Sequence, residues 1–139
     1  MIWIPTIEYI LKLFKEKIGD PILIHQGRLV STLDKVQWGI PYQQKPDIWD
    51  RATILYKDIV EGNYFYDGNK RIGLLTVFLF LDNNGYDFIT SDDDAYEMTI
   101  QVAQGLKSYK EIKDWFRKNT KEFSIGTKGY ESKRNLQKT

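Results

Sequence analysis

Near the N-terminus, apolar residues fall at Ile7, Ile10, Leu11, Phe14 and Ile18. This i, i+3, i+4, i+7 spacing predicts a helix opening after Thr6 and stopping at Gly19-Asp20-Pro21. A short β-prone run, Ile22 to His25, leads to Gly27, and Leu29, Val30, Leu33 and Val36 then predict a second helix ending near Trp38-Gly39. Pro41 to Pro46 reads as loop. Asp47 is placed to cap a third helix carrying Trp49, Ala52, Leu55, Tyr56 and Ile59, with Gly62 as its stop. From Asn69 the pattern changes. Ile72, Leu74, Leu75 and the run Val77 to Leu81 are apolar nearly all round, the mark of a helix buried on every side and placed centrally in its fold. Asn84-Gly85 ends it. Ser91-Asp92-Asp93-Asp94 puts negative charge at the start of a fifth helix running through Met98 and Val102, where the macrodipole favours it. Ser108 with Glu111 forms a capping box before Ile112, Trp115 and Phe116. The expectation is all-α: a single bundle of about six helices around one central buried helix, with no convincing sheet and no internal repeat.

Composition narrows the chemistry. The chain has 139 residues, 42% hydrophobic and 28% charged, which suits one globular domain able to build a core without a disulfide or metal staple. It has no cysteine, which excludes thiolate metal sites and a cysteine nucleophile, and its single histidine, His25, excludes a His-pair metal centre. The longest apolar run, Ile72 to Leu81, is about half a membrane span, and no charged-then-apolar leader opens the chain. The expected location is cytoplasmic, away from membranes. The net charge of +1 is unevenly placed. Lys121, Lys128, Lys133, Arg134 and Lys138 against Glu122 and Glu131 make residues 121–139 a basic extension, read as flexible and separate from a domain spanning 1–120. Nucleic acid is not the favoured partner of this tail. The aromatic share of 14% includes Trp38, Tyr42, Tyr56, Tyr64 and Tyr66, read as core and pocket wall in preference to a base-stacking platform.

The chemically distinctive segment is Asn63-Tyr64-Phe65-Tyr66-Asp67-Gly68-Asn69-Lys70-Arg71. Here a loop carrying glycine, asparagine and two cations feeds a buried helix. Free N–H groups of the first helical turn, the helix dipole, Gly68, Lys70 and Arg71 together form an anion trap suited to phosphate. Asp67 would repel bare phosphate but suits a Mg²⁺ ion bridging phosphate oxygens. The plainer reading is a helix start with Asp67 as its cap and two solvent-facing cations. The spacing is not that of a Walker loop, and residues 82–94 do not make an EF-hand, because Gly85 falls at the fourth position and no Glu closes the loop.

This segment resembles the signature of the Fic/Doc (Fido) family, His-x-Phe-x-Asp-Gly-Asn-Lys/Gly-Arg, at every element except the first, where Asn63 stands. The resemblance extends to Gly27 to Val30, to Phe78 to Gly85 and to Val102 to Gly105, covering roughly residues 4 to 118. Lys70, the short length and the Pro5-Thr6 opening are most similar to the Doc branch, death-on-curing toxins of toxin–antitoxin pairs. The resemblance implies that ATP lies over the helix start, that Asp67 binds Mg²⁺, that Gly68, Asn69 and Lys70 form the phosphate nest, and that Arg71 grips a phosphate. Phe65 would pack beneath the loop. It also implies a flap near Ile22 to Gly27 that aligns a target chain by strand addition. In Fic relatives the product is a nucleotidylated hydroxyl. In the Doc branch a translation elongation factor is phosphorylated, and Lys70 favours that outcome. The family's autoinhibitory Ser/Thr-x-x-x-Glu-Gly/Asn is absent, since Lys57 lies four positions before Glu61-Gly62, so restraint is expected from a separate antitoxin.

The family histidine is the general base, and Asn63 cannot titrate. The chain is therefore expected to be inactive or weakened by the loss of a contribution worth about 10²- to 10⁴-fold. Three accounts stand open: a change introduced so that a toxic chain could be expressed, a natural loss, or a substitute base, for which His25 is the imidazole available. The alternative function is a non-catalytic module that binds nucleotide or a partner on the same fold.

Overall fold

The computed structural model describes residues 1–123. Its helices are α1 (Ile7–Lys17), α2 (Gln26–Trp38), α3 (Ile48–Gly62), α4 (Asn69–Asn83), α5 (Asp92–Ala103) and α6 (Tyr109–Lys118). Side-chain caps hold four of them, two at the residues expected: Asp47 with Asp50 and Ser108 with Glu111 form reciprocal capping boxes, while Thr6 Oγ1 accepts from Tyr9 N and Ser91 Oγ from Asp94 N.

α4 is the central helix. Beyond Arg71 none of its residues is exposed, and Ile72, Val77, Phe80 and Leu81 are fully buried. Its main partner is α3, which itself packs on α2 and α6. The α3–α4 approach is close because Gly73 has no side chain: a Cβ there would lie 2.6 Å from Val60 Cγ2. Gly73→Ala should therefore lower stability by about 1–2 kcal/mol, although alanine is the better helix former. Urea denaturation checks this, and a stabilised variant would contradict the crossing geometry.

The six helices bear out the all-α bundle, to which a small two-stranded sheet is added. β1 (Tyr86–Phe88) pairs antiparallel with β2 (Thr120–Glu122), with Tyr86 opposite Glu122, Asp87 opposite Lys121 and Phe88 opposite Thr120. Three residues per strand are too few for alternation to register in the sequence. Lys121 and Glu122, assigned to the basic extension, thus belong to the fold, which is fixed there by Trp49 Nε1 donating to Thr120 Oγ1 at 2.9 Å and Phe123 N to Gly85 O at 2.7 Å. The rest of that extension, from 124 onward, lies outside the described residues. At the other end of the chain, Asn84 exchanges two hydrogen bonds with the Trp3 backbone and ties it to the end of α4.

Aromatic residues divide by location. Tyr56 is fully buried, its hydroxyl 2.7 Å from Thr99 Oγ1, and Tyr64 is buried as well. Trp38 and Tyr42 are exposed, so they are neither core nor pocket wall. Trp38 is the last residue of α2 and Tyr42 lies in the loop that follows it toward Asp47.

α6 is clamped to the start of α3 by charge. Asp50 accepts from Tyr109 Oη at 2.7 Å and pairs with Lys113 at 2.9 Å. Burial alone would raise the Asp50 carboxyl, but hydrogen bonds from Lys113, Tyr109 and the Asp47 backbone, with the Lys113 charge, outweigh it and hold the group at about 2. Its folded value lies below its unfolded one, so it contributes stability that is complete above about pH 4 and is lost as pH falls toward about 2. Asp50→Asn should lower Tm at neutral pH and flatten the decline in Tm across that acid window. An unchanged slope in melts recorded by circular dichroism would remove Asp50 from this role.

Candidate active site

The site forms where α3 hands over to α4. Asn63 ends α3 in the left-handed region, φ 52° and ψ 45°, a conformation asparagine tolerates better than most residues. The next residue is held firmly. The Tyr64 ring folds over Gly62, where a Cβ would lie 2.3 Å from it, and its hydroxyl is 2.8 Å from Thr32 Oγ1. Thr32 donates in turn to Asp58 at 3.0 Å, and Asp58 pairs with Lys35 at 2.7 Å. A polar chain between α2 and α3 thus fixes the turn that presents Asn63.

Phe65 is buried and stacks on Phe14 with ring centroids 4.9 Å apart, matching the role under the loop that the resemblance implied. The Asn69 side chain spans the loop, accepting from Phe65 N at 2.9 Å and donating to Phe65 O at 2.8 Å. Its amide therefore braces the loop, leaving its backbone N–H as its contribution to a nest.

Gly68 is the residue that lets the loop enter α4. Its φ of +82° is left-handed, and a Cβ would lie 2.8 Å from Phe14 Cζ. Gly68, and not Asp67, is the N-cap, and no side chain caps this helix end. Asp67 Oδ1 instead accepts from Gly68 N at 2.8 Å. The first helical N–H to meet a carbonyl is that of Ile72, on Gly68 O at 2.9 Å, so the N–H groups of Asn69, Lys70 and Arg71 are open at the helix end.

A cavity of about 600 Å³ lies over this end. All six residues singled out from sequence line it: Asn63, Asp67, Gly68, Asn69, Lys70 and Arg71. Sequence reasoning missed other parts of the wall. Glu61 lines the cavity from the last turn of α3, and α5 contributes Tyr96, Thr99, Ile100 and Ala103, whose helical spacing on one face was the available signal. Val60, Leu74 and Ile18 complete an apolar side, and Tyr66 stands at the wall as expected. The volume suits a nucleotide-sized ligand, with a cationic end at Lys70 and Arg71 and an apolar end against α5.

The segment Ile22 to His25 runs antiparallel to the motif loop. Ile24 N and His25 N donate to Tyr64 O at 2.8 and 3.1 Å, and Tyr66 N donates to Ile22 O at 2.9 Å. In this pairing the N–H and C=O of Leu23 point away from the loop and leave an open edge. His25 itself is exposed at the N-cap of α2, makes no side-chain capping bond, and does not line the cavity. The substitute-base role considered for it thus has no support in the cavity geometry.

Of the two carboxylates in the cavity wall, Asp67 and Glu61, Asp67 is the one beside the helix start. Among the described residues no cluster of three or more His, Cys, Asp or Glu could hold a metal ion by itself. Asp67 keeps Oδ2 free of the bond to Gly68 N. Among the described residues no helix is long and apolar enough to cross a membrane.

The helical bundle and the loop that opens its central helix keep the resemblance to the Fic/Doc signature, with Asn63 where that signature has histidine. No family model matches the chain. It is similar to a curated protein of Escherichia phage P1, "Protein kinase doc", with 28% identity over 100 residues, covering 72% of this chain and 79% of that relative. That similarity supports the Doc branch read from Lys70.

Proposed function

We propose that this chain is a Doc-type toxin that transfers the γ-phosphoryl group of Mg·ATP to a hydroxyl of a target protein, at a rate reduced by Asn63. The observation that carries this reading is the convergence on one cavity of three open helix-start N–H groups, two cations and the Asp67 carboxylate beside them. Each has a task. The N–H groups of Asn69 to Arg71 and the positive end of α4 favour phosphate oxygens, Arg71 offers a bidentate fork, and Lys70 adds a point charge. Asp67 would hold Mg²⁺ through Oδ2; when bound, the ion neutralises charge developing on the phosphates. The apolar wall of Val60, Leu74, Ile100 and Ala103 offers the base a surface. The open edge at Leu23 is suited to receive an extended segment of the target, a translation factor by analogy with the branch.

A separate antitoxin restrains the protein in the cytoplasm, because position 57, where the inhibitory motif needs Ser or Thr, is a lysine engaged with Glu61 at 2.8 Å. The second reading, a binding module without catalysis, is favoured by Asn63, which suits its left-handed turn but moves no proton.

Arg71→Ala should weaken calorimetric binding of a non-hydrolysable Mg·ATP analogue about tenfold or more while leaving the melting curve near that of the parent. Equal binding by parent and variant would remove the phosphate cradle from the account. Transfer is tested by incubation with cell extract and Mg·ATP labelled at the α or γ phosphate.

A further inference from the structure

With His25 outside the cavity, the remaining proton acceptors in the wall are carboxylates. Asp67 is assigned to the metal, and Glu61 has no role in the reading above. Glu61 sits two residues before Asn63, on the last turn of α3, and lines the same cavity as Asn63, Lys70 and Arg71. Its Oε1 is held at 2.8 Å by Lys57, one helical turn earlier, while no hydrogen bond within the described residues engages Oε2. The carboxylate is thus oriented and half-buried, with one oxygen free to meet a ligand.

We propose that Glu61 is the general base of this chain, in place of the missing imidazole. The inference rests on the phosphotransferase reading. Glu61 Oε2 accepts the proton of the target hydroxyl as that oxygen forms its bond to the γ-phosphorus of ATP. The bond from the γ-phosphorus to the β,γ-bridging oxygen breaks, ADP leaves with the electron pair, and Glu61 later releases the proton to water. Lys57 orients the carboxylate, and Lys70 and Arg71 carry the charge on the transferring group.

A mutant cycle between positions 61 and 63 separates a proton acceptor from a structural residue. The measured quantity is transfer of γ-label from Mg·ATP to protein in a cell extract, with analogue binding followed in parallel by calorimetry. Glu61→Gln in the parent should reduce transfer about 10²-fold or more with nucleotide binding retained. In the Asn63→His background, where the imidazole takes the proton, the same substitution should cost less than about threefold. Equal losses in both backgrounds would make Glu61 structural and overturn the proposal. So would unchanged or increased transfer by Glu61→Gln in the parent, and so would a silent parent beside an active Asn63→His chain; in all three cases the phosphotransferase reading stands. Silence of parent and Asn63→His alike defeats that reading and the base with it.

Discussion

Asn63→His is expected to raise protein phosphorylation by about 10²-fold if Glu61 already accepts the proton, and toward about 10⁴-fold if nothing does. The reason is local. The other parts of the cradle line one cavity with position 63, so an imidazole there would face the phosphates without any rearrangement of α4. The backbone permits the change, because φ of 52° at position 63 is a region that histidine, like asparagine, occupies more readily than most residues. Nucleotide affinity should change little, since neither side chain belongs to the N–H nest or the cationic pair. Steady-state transfer with parallel calorimetry checks both statements. A variant that binds nucleotide as before and transfers no faster would mean that proton removal does not limit this chain.

The largest expected effect on stability comes from Arg51. It is 8% exposed and has no carboxylate partner among the described residues; Nη1 donates to Val36 O and Gln37 O, both at 3.1 Å, and Nε to Pro46 O at 3.4 Å. The Pro46 bond is the longest of the three. The guanidinium thus satisfies the last carbonyls of α2, where the macrodipole also favours a cation, and pins the loop that leads to Asp47. Arg51→Met keeps the apolar stem and removes all three donors. It should cost about 3 kcal/mol and lower Tm by about 10 °C. A shift within about 2 °C would show that water satisfies these carbonyls just as well, and would detach Arg51 from the order of the 39–46 loop.

Most of the framework was legible because helices advertise themselves twice, by apolar spacing and by caps. Asp47 and Ser108 marked the residue before a helix, the acidic run at Ser91 to Asp94 marked another helix start, and the all-round apolar run after Asn69 identified the central one. β1 and β2 were not legible, because strands of three residues carry no period, and their pairing depends on Thr120 and Phe123 reaching distant partners. Arg51 was missed because its partners are backbone carbonyls, which leave no trace in side-chain pattern.

Within the site, the contiguous motif put six lining residues on the page before any geometry, including the departure at Asn63. Geometry changed the role of two of them. The Asn69 amide holds Phe65 and does not reach outward, and Asp67 contacts Gly68 N while Gly68 caps α4. The wall supplied by α5 and by Glu61 could not be read from the motif because it comes from separate turns of helix that only packing brings together. His25 drew attention as the only imidazole, yet the flap places its side chain outside the cavity.

The central claim is that this cradle delivers a phosphoryl group from Mg·ATP to protein. Its most direct test is to incubate the Asn63→His chain with cell extract and Mg·ATP labelled in turn at the α and γ phosphates, and to follow label on protein. The account predicts γ-label on a target and none from the α position. Label from the α position would make the domain a nucleotidyltransferase, and no label from either while nucleotide still binds would leave a binding module and contradict the claim.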